Sequence, residues 1–93
     1  MASDYNSGVT AVTSATAIVA FVHTGVQSWV IKNEGAASLR VGTSAITTTT
    51  GYLVPAGGTL SDSQNDHYED ALPVPYILSV GAGGDVSYLV RER

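Results

Sequence analysis

The chain has 93 residues, of which 44% are hydrophobic and 13% charged, with a net charge of −4 and no cysteine. The length allows one domain, the acidic balance with Lys32 as sole lysine excludes a clustered positive surface for nucleic acid, and the lack of cysteine excludes disulfides and thiolate metal sites. Charged residues make up about a quarter of an ordinary globular domain, so part of this surface is expected to be covered by something else.

Apolar residues follow a period of two more than a helical period, and Gly, Asn and Pro punctuate the runs. The first eight residues, MASDYNSG, have no period and are expected to form a flexible or extended N-terminal arm, leaving 9–93 as one β domain. The start carries no basic n-region, and the apolar run AIVAFV (17–22) is too short to span a membrane. Neither an export signal nor a membrane contact is expected. VTAVT (9–13) and ATAIVAFVHT (15–24) read as strands. In the second, Ala17, Val19 and Phe21 face one way and Ile18, Ala20 and Val22 the other, so both faces are apolar. A sandwich strand normally has one wet face. Either a loop or another subunit covers this one, which makes Ile18 and Val22 candidate interface residues, together with Tyr5 in the arm.

VQSWVIKN (26–33) sets Trp29 and Ile31 against Ser28, Val30 and Lys32. NEG (33–35) supplies turn chemistry, and ASLRV (37–41) alternates Ala37, Leu39 and Val41 with Ser38 and Arg40. The two runs read as a hairpin with a short loop. SAITTTT (44–50) is β-prone because threonine is β-branched. An ice-binding array needs regularly spaced threonines on one face, which consecutive strand residues do not give; the run from Thr47 to Thr50 reads as a strand end. YLV (52–54) follows Gly51, and PAGG (55–58) turns the chain.

SDSQNDHYED (61–70) reads as an exposed loop. Pro73 and Pro75 confine their stretch to a linker or a sheet edge. YILSV (76–80) and DVSYLVRER (85–93) flank GAGG, and in the latter Val86, Tyr88 and Val90 alternate with Ser87, Leu89 and Arg91. Seven or eight short strands with frequent turn signals predict an all-β chain, folded as a small antiparallel β-sandwich or jelly-roll-like domain.

Candidate chemistry is sparse. The acidic loop holds the candidate metal ligands Asp62, Asp66 and His67. Asp62, Gln64 and Asp66 have the spacing with which calcium loops begin, but His67 stands where such a loop has glycine, and Pro73 where it has its closing glutamate. A solvated loop is the expectation, with no metal and no cofactor. There is no G-x-S-x-G elbow, the serines lack a placed base, and neither glycine cluster leads into a helix as a phosphate loop does. No catalytic residue is assigned, and no enzyme is expected. A carbohydrate-binding module would need exposed aromatics; Tyr52, Tyr68 and Trp29 are the candidates, although the alternation of Trp29 with Ile31 points to the core.

The segments WVIKNEGAASLRVGTSAITTTTGYLVPAGGTLS (29–61) and PYILSVGAGGDVSYLV (75–90) form a recurring order of motifs. A strand ending in apolar-Lys-Asn leads through a Gly turn to a strand closing on VG. A Thr/Ser-rich segment and an apolar-Pro-x-Gly turn follow, then an aromatic strand and a Gly-rich hairpin before V-x-Y. This order resembles small β-sandwich virion proteins of tailed bacteriophages, such as capsid decoration (cement) proteins, head-fibre bases and tail or baseplate components. The resemblance implies a structural protein made in the host cytoplasm and carried in the virion. Its partners would be the major capsid protein or other virion proteins, and its state a homo-oligomer with a trimer favoured. A decoration protein of this kind would brace junctions between coat subunits on the outer capsid surface. The alternatives are a head-fibre, tail or baseplate component, or a small carbohydrate-binding module.

Overall fold

The computed structural model of the chain describes residues 4–22, 25–63 and 74–92. Among the described residues there are eight strands and no helix: β1 (Asp4–Val12), β2 (Ile18–Val19), β3 (Val26–Asn33), β4 (Leu39–Gly42), β5 (Tyr52–Val54), β6 (Thr59–Ser63), β7 (Tyr76–Ser79) and β8 (Gly84–Glu92). They form two four-stranded sheets, the first in the order β1-β8-β3-β6 and the second in the order β2-β7-β4-β5. Every neighbouring pair is antiparallel. Only β4 and β5 are successive strands of one sheet; every other pair of consecutive strands is divided between the two. This is the strand order of a jelly roll, in the class the sequence predicts.

The period of two decides which residues fill the space between the sheets. From the first sheet Val12, Trp29, Ile31, Val86 and Val90 are buried, and from the second Leu39, Val41, Val54 and Ile77. Burying each such side chain contributes roughly 1.5–3 kcal/mol. The alternation expected for β3 and β8 is observed. A register shift between Val26 and Ser28 adds one residue to β3 opposite β8, and this bulge brings Val26 to the same buried face as Trp29. Phe21 caps the core, its ring centroid 6.3 Å from that of Trp29 and 5.4 Å from that of Tyr88.

Five readings need correction. The N-terminal arm is, from Asp4 onward, the first half of β1, in register with β8 from Asp4↔Glu92 to Val12↔Gly84. It lacks a hydrophobic period because Asn6 and Gly8 occupy inward positions, and the Asn6 side-chain amide donates to the Glu92 carboxylate. The long apolar strand over 15–24 shrinks to Ile18 and Val19. Ala20 and Phe21 are both buried although adjacent, while Val22 is 85% exposed, so the chain has left strand geometry there. The Ala20 N–H donates to the Pro75 carbonyl (2.9 Å), and its own carbonyl accepts the Thr10 hydroxyl (2.8 Å).

The runs around NEG are not a hairpin: β3 lies in the first sheet and β4 in the second. Asn33, 2% exposed, directs this crossing. Its Nδ2 donates to the carbonyls of Ala37 (2.8 Å) and Val54 (3.2 Å), and its Oδ1 accepts the Gly35 N–H (3.0 Å). The hairpin is β4–β5, with Leu39↔Val54 and Val41↔Tyr52. Its loop contains the threonine run, which is a closed turn. The Thr47 N–H donates to Thr50 Oγ1 (2.9 Å) and the Thr49 N–H to Thr47 Oγ1 (3.2 Å), bonds by which short hydroxyl side chains compete with a ladder. Gly51 leaves the turn at φ 104°, where an L side chain is strained. Arg40 ties the loop down, Nε donating to the Thr48 carbonyl (3.3 Å) and Nη1 to the Gly51 carbonyl (3.1 Å). Finally, the polar segment from Ser61 begins inside β6, where Leu60 is the lone inward apolar residue.

Candidate interaction surface

The outward positions of the first sheet form ordered rows. One row runs Tyr5, Arg91, Ser28, Ser63; the next Ser7, Leu89, Val30, Ser61; the third Val9, Ser87, Lys32, Thr59. Tyr5 is 66% exposed, Val9 63% and Leu89 42%. The surface is thus a band of apolar and hydroxyl-bearing side chains with few charges. A groove of about 390 Å³ crosses the first two rows between Tyr5 and Arg91 on one side and Ser61 and Ser63 on the other. Such a face offers shape, apolar area and neutral hydrogen bonds, the means by which protein surfaces associate without chemistry.

A second groove, of about 480 Å³, opens where β4 ends at Gly42 and β7 begins at Tyr76. Trp29 and Asp62, opposite one another in the β3–β6 register, line it with Thr43, Ser44, Pro75 and Tyr76. Trp29 is 7% exposed, and its Nε1–H is buried without a hydrogen-bond partner among the described residues. An orphaned buried donor costs about 1–3 kcal/mol. The Asp62 carboxylate accepts the Ser63 N–H (2.8 Å).

The residues singled out in the sequence are scattered. Tyr5 stands on the outward face of the first sheet. Ile18, on β2, is half-buried and packs against the core. Val22 is exposed on the connection between β2 and β3. Asp62 is on β6, whereas Asp66, His67 and Tyr68 lie outside the described residues. Among the described residues no group of three acidic or histidine side chains is placed to hold a metal. Tyr52 is 63% exposed on β5, at the edge of the second sheet. Val9, Val30 and Leu89 went unassigned. The signal for Leu89 was present: in DVSYLVRER it is the one apolar residue on the otherwise polar alternate face.

Comparison of the chain with protein-family models, with curated proteins and with solved structures finds no match.

Proposed function

We propose that the protein is a structural component of a bacteriophage virion, a capsid decoration protein that binds the outer surface and bridges coat subunits. The low-charge outward face of the first sheet carries this reading. Tyr5, Val9, Val30 and Leu89 stand there among hydroxyl side chains, a composition that favours burial against protein over solvation. The motif order of the sequence supports the same reading. The jelly roll agrees with it but does not select it, since viral capsid and lectin domains share that architecture. The mechanism is burial of surface across a junction, repeated around the particle so that weak contacts add. The test is quantitative mass spectrometry of gradient-purified particles. The expected copy number equals that of the coat subunit or a simple fraction of it. A few copies per particle would place the protein in the tail, baseplate or a head vertex, and complete absence would overturn the virion assignment.

The groove beside Trp29 favours a second reading, a carbohydrate-binding module. Trp29 and Tyr76 beside the Asp62 carboxylate and the Thr43 and Ser44 hydroxyls combine apolar surface with hydrogen-bonding groups. Glycan-array binding that disappears in Tyr76→Ala would support it, and silence across the array would end it.

A further inference from the structure

A jelly roll has four sheet edges, and three are blunted in the usual ways. β2 has two residues, β5 three, and β6 five with Asp62 among them. β1 differs. It is nine residues long, ends the first sheet beside β8, and contains neither lysine nor proline. Among the described residues its backbone pairs with β8 alone. With respect to the described residues, one row of peptide groups along β1 is therefore open to a further strand.

We infer that β1 pairs with β1 of a second copy, antiparallel about a two-fold axis, joining two first sheets into one of eight strands. Three features fix the occupant and the register. The two outward faces coincide only if paired residue numbers sum to an even value, because side chains alternate. Among such registers, the one with Gly8 opposite Gly8 pairs all nine residues of β1. It sets Tyr5 against Ala11 and Ser7 against Val9 of the other copy, and Tyr5 then reaches diagonally over Val9 of that copy. These two side chains, 66% and 63% exposed in one chain, cover each other. The single charged residue of the strand, Asp4, falls opposite Val12 and not opposite itself, so no like charges meet. A two-fold contact of this kind closes on itself. It makes the assembling unit a dimer in place of the trimer that the resemblance implies. The inference rests on the edge of β1 and does not depend on the particle reading.

Sedimentation of the purified full chain tests it. The expected species has twice the 9.6 kDa chain mass. Ser7→Lys with Val9→Lys places two lysine pairs directly opposite and should weaken dimerisation about tenfold or more. Ser7→Glu with Val9→Lys changes the same two outward positions but makes both pairs attractive, and should restore the dimer. A monomer at all concentrations, a trimer, or a dimer indifferent to both pairs of substitutions would overturn the pairing. Particle copy number is measured separately. A monomeric chain found on particles defeats the pairing alone, and a dimer absent from particles defeats the particle reading alone.

Discussion

Gly84 lies against Gly35 so closely that a Cβ built on Gly84 would sit 2.8 Å from the Gly35 Cα. Gly35 belongs to the crossing from β3 to β4 and Gly84 opens β8, so this contact joins two passages of the chain between the sheets. The Glu34 N–H donates to the Asp85 carbonyl (2.9 Å) beside it. Backbone faces backbone, and no flexible side chain can yield. Gly84→Ala should destabilise the fold by about 1–3 kcal/mol through overpacking, read as a lower urea midpoint at unchanged slope. An unaltered midpoint would mean that the crossings move apart freely.

Asn33→Ala should cost about 2–4 kcal/mol, because it leaves the carbonyls of Ala37 and Val54 and the Gly35 N–H without their partner in a buried place. Asn33→Asp should be no better, since it keeps the acceptor for Gly35 and loses both donors. Thermal and urea unfolding of the two variants would check the ranking.

Arg40→Met should act locally. Removing the two guanidinium bonds to the threonine turn frees the loop without touching the core, and local opening is separable from global unfolding. Amide exchange over 47–51 should accelerate while exchange in β3 and β8 holds. Equal acceleration everywhere would show that the loop belongs to the same cooperative unit.

Trp29→Phe removes the indole N–H that has no partner among the described residues and keeps most of the aromatic contact with Phe21. The lost area and the removed orphan donor oppose one another, so stability should stay within about 1 kcal/mol of the parent, against the 3–5 of a truncation to alanine. A loss near the truncation value would mean that the N–H is satisfied in solution.

What the sequence disclosed was the inside of the strands that alternate cleanly. Leu39 and Val41, or Val86, Tyr88 and Val90, announce their face by alternation, because the pleat has a period of two whatever the strand pairs with. Pairing itself is not written locally. NEG and GAGG look like hairpin turns, yet each carries the chain to the other sheet, with Asn33 and Ser79 satisfying the turned backbone. The Ser79 hydroxyl, 3% exposed at residue level, donates to the Ala82 carbonyl (2.9 Å). β6 is hard to read because Leu60 alone marks its buried side, and the first half of β1 because its inward residues are Asn6 and Gly8. The outward face was half legible, through Tyr5 and Leu89. Its rows depend on a register that joins residues 5, 91, 28 and 63.

Because consecutive strands, β4–β5 excepted, go to opposite sheets, local segments have almost nothing to gain by forming early. β1 has no partner until the chain has reached residues 84–92, and β8 then sits between β1 and β3 as the strand that completes the sheet. Loop closure must be met before such distant contacts repay it, and folds of this kind acquire structure over about milliseconds to seconds. Without β8 the strands β1 and β3 have nothing between them, and the first sheet is complete only when residues 4–12 and 84–92 meet.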